Sequence, residues 1–173
     1  PSELGAGSIV GLVNDVARRV DRTRLLYLYP SDLSDELIDA ICATGVPYFD
    51  LSLQHVSKPL LRRMRRWGDG DRFLRRIDDI RRREPDAAFR SNFIVGFPGE
   101  TEEEFQATLS FAREIGFIQA YSFKYSARPG TPAAILPGQL SETVKSERLA
   151  ALQNVLESNQ RARSEEHTSE LQS

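Results

Sequence analysis

The stretch from Arg90 to Thr101 reads R-S-N-F-I-V-G-F-P-G-E-T, and its reading decides the fold. Phe93, Ile94 and Val95 form a short, apolar, β-rich run, the pattern of a buried strand. The run stops at Gly96-Phe97-Pro98-Gly99, after which Thr101 and Glu104 supply a T-x-x-E capping box that opens a helix. A strand, a tight glycine loop and a capped helix leave backbone N–H groups free at the C-terminal end of the strand. Ligands of α/β proteins bind at such ends.

The alternation repeats on both sides of this stretch. Ile9, Leu12, Val13, Val16 and Val20 recur at helical spacing and predict an amphipathic helix from Ser8 to Arg19. Arg24 to Tyr29 reads as a buried strand ended by Pro30. Ser34 caps a helix with Leu37, Ile38 and Ile41 inward and Gly45 as its stop. A second strand, Tyr48 to Leu53, runs into Gln54 and His55, and a short helix follows from Ser57 with Leu60, Leu61 and Met64 on one face. Asp69 or Asp71 starts the next helix, with Phe73, Leu74, Ile77 and Ile80 inside. Beyond the opening stretch come a helix to Ile115, a fourth strand from Ala120 to Tyr125, the rigid loop R-P-G-T-P at Arg128 to Pro132, and a last helix from Ser141. Strands recurring every ~25–40 residues between helices indicate parallel βαβ units with right-handed crossovers. The expected fold is α/β, four parallel strands alternating with helices, as an open sheet or part of a (β/α) barrel.

The chain has 173 residues, enough for one domain with a core. Its 40% apolar and 28% charged residues and net charge of −2 are those of a soluble globular protein without bulk attraction to polyanions. No apolar run approaches a membrane span and no signal peptide is visible, so no membrane partner and a cytoplasmic location are expected. The single cysteine, Cys42, excludes an internal disulfide framework and a self-contained cysteine metal site, and no metal-ligating residues are expected. Walker, G-x-G-x-x-G, H-E-x-x-H and G-x-S-x-G motifs are absent, which removes most support from hydrolase and dinucleotide-enzyme readings.

Polar groups gather at the predicted strand ends: Ser52, Gln54 and His55, then the Gly96 loop with Glu100, then Tyr125 and Ser126. In a parallel scaffold these ends share one mouth. From Lys58 to Arg90 one lysine and eleven arginines outnumber six carboxylates. Most of these arginines read as a solvated face; the alternatives are cations for a carboxylate or phosphate at the mouth, or a surface for RNA.

Five strings carry a resemblance: R-L-L-Y-L-Y-P (Arg24 to Pro30), Y-F-D-L-S-L-Q-H (Tyr48 to His55), L-L-R-R-M-R-R (Leu60 to Arg66), F-I-V-G-F-P-G-E-T-E (Phe93 to Glu102) and F-K-Y-S-A-R-P-G-T-P-A (Phe123 to Ala133). Together they resemble the methylthiotransferase family of radical S-adenosylmethionine (SAM) enzymes. The resemblance implies part of a (β/α) barrel over residues 1–162. It also implies SAM and 4Fe–4S clusters as cofactors, an electron donor, and transfer of a methylthio group to an unactivated carbon. By motif position it assigns Gln54 and Asn92 to the ribose or amino-acid part of SAM and Arg66 to its carboxylate. Gly96 would give the adenosine close backbone approach within the loop of Pro98, Gly99 and Glu100, and Phe123 and Tyr125 would flank the adenine. His55 and Arg128 are the implied substrate contacts, and no residue here is implied as catalytic.

The family's C-x-x-x-C-x-x-C loop, N-terminal cluster domain and C-terminal RNA-binding domain are not in the sequence, so the polypeptide is expected to be inactive by itself. The first half resembles members acting on an aspartate of a small-subunit ribosomal protein, taken as the primary substrate. The second half resembles members acting on isopentenyl-adenosine in tRNA, the alternative substrate, and a seam between two genes is expected near Gly96 to Glu102. A non-catalytic, arginine-rich RNA-binding module is a further alternative. The last string, Arg163 to Ser173, resembles a translated sequencing adapter and is expected to be non-native.

Overall fold

The structure, a computed structural model, describes residues 6–170. Four strands form one parallel sheet: β1 (Leu25–Leu28), β2 (Tyr48–Gln54), β3 (Ala88–Val95) and β4 (Gln119–Lys124). Helices α1 (Ala6–Ala17), α2 (Asp35–Ala43), α3 (Lys58–Arg63), α4 (Gly70–Arg83), α5 (Glu102–Ile115) and α6 (Glu142–Glu170) precede, connect and follow them. The backbone of α6 continues into the adapter-like string as far as Glu170, while residues 1–5 and 171–173 lie outside the described residues.

The spatial order β1-β2-β3-β4 repeats the chain order, with each pair parallel. Right-handed crossovers that always advance in one direction put their helices on one face of the sheet. The result is an arc of a barrel, whose two faces differ in burial. On β3, Phe89, Ser91, Phe93 and Val95 are buried against the helices, while Arg90, Asn92 and Ile94 between them are half-exposed on the other face. Phe49 stacks on Phe89 at 5.6 Å, and Phe93 meets Phe117 edge-on at 5.6 Å. Ile77 and Ile80 of α4 and Phe105 and Leu109 of α5 complete the same core.

Two buried faces expected from the sequence are exposed. The β1 strand is shorter than Arg24 to Tyr29 and lies at the sheet edge, with Leu26 and Tyr27 turned outward. A strand with one neighbour has half the cover of a central one. On α1, Val13 is 3% exposed but Leu12 is 58% exposed, so its apolar stripe is only partly used.

Each connecting helix starts where its cap directs. Ser34 accepts from the Leu37 N–H at 3.2 Å, Asp69 from the Arg72 N–H at 2.8 Å, and Ser141 from the Val144 N–H at 3.2 Å. At α5 the capping box is complete: Thr101 Oγ1 accepts from the Glu104 N–H at 3.2 Å and Glu104 Oε2 from the Thr101 N–H at 2.9 Å. Replacing Thr101 with alanine removes one half of this exchange and is expected to lower stability by about 1 kcal/mol in urea denaturation. No helix among the described residues is long and apolar enough to cross a membrane.

Candidate cofactor and substrate site

The C-terminal ends of β2, β3 and β4 open into a cavity of about 600 Å³. This size suits a small-molecule ligand. Gln54, Phe123, Tyr125, Ser126 and Arg128, all singled out from the sequence, line it together. Ile94 and Phe123, paired in register on the open face, supply apolar wall, and Phe97 packs edge-on against the Tyr125 ring at 5.2 Å. The Tyr125 hydroxyl is buried within the protein and has no hydrogen-bond partner among the described residues. Asn92 lies one pleat below Ile94 on the same face, outside the cavity lining and paired in register with Tyr121.

Two cavity residues hold backbone conformations that L-residues rarely adopt. Gln54 has φ 65° where the pairing of β2 with β3 slips, and Arg65 has φ 58° just past α3. At Arg65 the chain closes a Schellman turn: the Arg66 N–H donates to the Leu61 carbonyl at 2.8 Å and the Arg65 N–H to the Arg62 carbonyl at 3.0 Å. Glycine normally occupies that position. An arginine there costs about 1 kcal/mol and lines the cavity, its guanidinium without a partner among the described residues. Substituting Arg65 with glycine is expected to raise stability by about 0.5–1 kcal/mol while weakening any anionic ligand in the cavity, read by urea denaturation and ligand titration of one protein preparation.

The same turn sends Arg66 elsewhere. Its guanidinium donates to Ser52 Oγ at 3.3 Å and lies 4.7 Å over the Tyr29 ring, and burial lowers its pKa. Arg66 thus braces the end of β2 outside the cavity lining, and Arg65 and Arg128 are the cations that face a ligand's carboxylate or phosphate. No local pattern in the sequence marks Arg65, because a left-handed helix end is ordinarily signalled by glycine.

The glycine loop packs closely against side chains from α3 and α6. Gly96 has φ 74°, and a Cβ there would collide with the side chain of Lys145 from α6. Gly99 has φ 78°, and a Cβ there would strike the Arg63 guanidinium. Both glycines thus make room for protein side chains; Pro98 beside them is buried. Glu100 also faces inward. Its carboxylate accepts from the Gly96 N–H at 2.7 Å, from Arg148 Nη1 at 2.6 Å and from His55 Nε2 at 3.0 Å. His55 is 0% exposed. Its Nδ1 accepts from the Ser57 N–H at 2.9 Å, which leaves the proton on Nε2 to donate to Glu100. His55 and Glu100 thus hold the loop from behind and are closed to a substrate. Nothing near Glu100 in the sequence announces Arg148, which arrives from α6.

A family model described as the Radical SAM superfamily matches residues 10–112, more than half of the chain. The chain belongs to the radical SAM superfamily. Among radical SAM proteins it is 45% identical over 162 residues to the tRNA-2-methylthio-N(6)-dimethylallyladenosine synthase of Jannaschia sp. (strain CCS1), covering 91% of this chain and 35% of that protein. The protein of the same name from Ehrlichia chaffeensis is 41% identical, with 83% of this chain and 33% of that one covered. The chain thus spans about a third of the length of these relatives. The first alignment runs through both halves and across Gly96 to Glu102. Coproporphyrinogen III oxidase from Escherichia coli, a radical SAM enzyme, superposes with TM-score 0.72 at 20% identity over 92% of this chain and 38% of that one. A radical SAM methyltransferase from Kitasatospora setae superposes with TM-score 0.59 at 21% identity over 75% and 27%. Both likenesses agree with the barrel arc.

The superfamily's two cofactors fit these residues unequally. The cavity offers what a nucleoside carrying an amino acid needs: apolar and aromatic walls at Ile94, Phe123 and Tyr125, an amide at Gln54 and cations at Arg65 and Arg128. A cluster does not fit, since among the described residues no group of three His, Cys, Asp or Glu could hold a metal ion. Cys42 is half-buried in α2, and burial, with Glu84 and Asp39, pushes its thiol pKa up.

Proposed function

We propose that this chain is the cofactor-binding arc of a radical SAM methylthiotransferase acting on isopentenyl-adenosine in tRNA. The observation carrying this reading is the 45% identity to a tRNA methylthio synthase over 91% of the chain. The relatives reported above are named for tRNA and none for a ribosomal protein, so the aspartate substrate first expected has no counterpart among them. The reading places the enzyme in the cytoplasm with its tRNA.

In this reading Phe123 and Ile94 would hold the adenine of SAM and the Gln54 amide would meet polar atoms of the nucleoside. Arg65 or Arg128 takes the carboxylate. Bound SAM supplies the hydrogen-abstracting nucleoside and the methyl group of this chemistry. The chain's own contribution is position and exclusion: the Glu100 network fixes the loop, and the loop fixes Phe97 against Tyr125.

The test is a segment exchange. Residues 10–162 replace the corresponding part of the Jannaschia enzyme, and tRNA nucleosides and small-subunit ribosomal proteins are analysed by mass spectrometry. Methylthio-adenosine in tRNA with unmodified ribosomal protein is expected. A methylthio group on the ribosomal protein instead would overturn the reading.

A further inference from the structure

A second groove, of about 460 Å³, opens between the C-terminal end of β1 and the start of α4. Because the sheet is parallel, this is the same end of the sheet as the cavity. The floor of the groove is apolar, made by Leu33 and Phe73, both buried. At its rim stands Trp67, 74% exposed, with its backbone N–H tied to the Tyr29 hydroxyl at 3.3 Å. The indole is thus presented on an anchored backbone.

The charges around the groove divide into used and unused. Arg76 is neutralised by Asp35 at 2.8 Å and Asp79 at 3.3 Å. Arg72 and Arg75 line the groove with no side-chain partner among the described residues. They lie three positions apart on α4, hence on one face with Cβ atoms about 5–6 Å apart. An exposed indole beside two unpaired guanidiniums offers a stacking face and two phosphate contacts, the combination that holds single-stranded nucleic acid. An acidic peptide would use the arginines and leave the indole face without a planar partner.

We infer that the groove of Trp67, Arg72 and Arg75 binds single-stranded RNA, an unpaired base stacking on Trp67 and flanking phosphates on the two arginines. This rests on the tRNA reading for the nature of the substrate and adds where the strand beside the target nucleotide runs. A single residue, Arg66, separates Trp67 from Arg65 of the cavity, so the strand leads toward the cavity from the rim.

Trp67 is the single tryptophan of the chain, which makes its emission a local reporter. The full chain is titrated with a short single-stranded oligoadenylate, with inorganic polyphosphate, and with an acidic peptide of matched charge. Saturable quenching by the oligoadenylate alone is expected. In anisotropy with a labelled oligoadenylate, W67A is expected to weaken binding roughly 5- to 150-fold, the loss of one stacked base. The R72Q/R75Q double variant is expected to lower the slope of log affinity against log salt by about 1.4, two contacts at the single-strand value. Circular dichroism unchanged from the parent shows that the variants fold. Equal quenching by polyphosphate or by the peptide overturns the inference, as does oligoadenylate binding that leaves the emission and both variants unaffected. The last outcome places RNA elsewhere and leaves the tRNA reading to the segment exchange.

Discussion

Replacing Glu100 with alanine is expected to cost about 3–5 kcal/mol of stability in urea denaturation. The carboxylate is the common acceptor of three donors from three parts of the chain: the Gly96 N–H, Arg148 of α6 and His55 after β2. Its removal leaves the Arg148 guanidinium, itself buried, with one remaining carboxylate partner, the mostly exposed Glu102 at 3.2 Å. It also strips the buried imidazole of a strong acceptor, leaving the Thr108 hydroxyl at 3.2 Å. Unpairing a buried charge costs more than the net worth of the pair, because the desolvation of the survivor is no longer offset. The double variant Glu100→Ala/Arg148→Ala is therefore expected to be less destabilised than the sum of the single variants, the coupling expected of groups in contact. Additive losses would show that the two side chains act independently.

The second large effect concerns β3. Phe93→Ala is expected to lose about 3–5 kcal/mol, whereas Ile94→Ala next to it loses about 1 kcal/mol. Phe93 is fully buried and edge-on to Phe117, so truncation opens a cavity between the sheet and α5. Ile94 is half-exposed on the opposite face, where its removal widens a cavity already open. Comparable losses at the two positions would contradict the assignment of one face to the core and the other to a ligand. The order of effects is set by the pleat, since neighbouring side chains on a strand point to opposite faces.

The elements with a strong local signal were legible in the sequence. Ser34, Thr101 and Ser141 marked the starts of α2, α5 and α6 because a capping side chain acts within one turn. The apolar run at Phe93 found the end of β3 but not its beginning. Arg90, Ser91 and Asn92 hide the strand in a polar guise, although Ser91 is buried with its hydroxyl donating to the Leu51 carbonyl at 2.8 Å. The site was legible as a place, because parallel strand ends converge. The duties of individual residues were less so. Whether His55 and Glu100 face a ligand or the interior depends on Arg148, 48 residues further along the chain, and no periodicity carries that information. Arg65 and Arg66 are adjacent and identical in type, and a left-handed turn gives one to the cavity and the other to Ser52.

The central claim, that the cavity at the ends of β2, β3 and β4 receives the nucleoside of SAM, is most directly tested by a two-dimensional NMR titration of the chain with S-adenosylhomocysteine. Saturable shifts confined to Gln54, Arg65, Ile94, Phe123 and Tyr125, and weakened in the Phe123→Ala variant, are predicted. Phe123 is 54% exposed, so its truncation should leave stability within about 0.5 kcal/mol of the parent. Shifts centred on the Gly96 to Glu100 loop with none at Phe123 and Tyr125, or no saturable shift at millimolar ligand, would contradict the account.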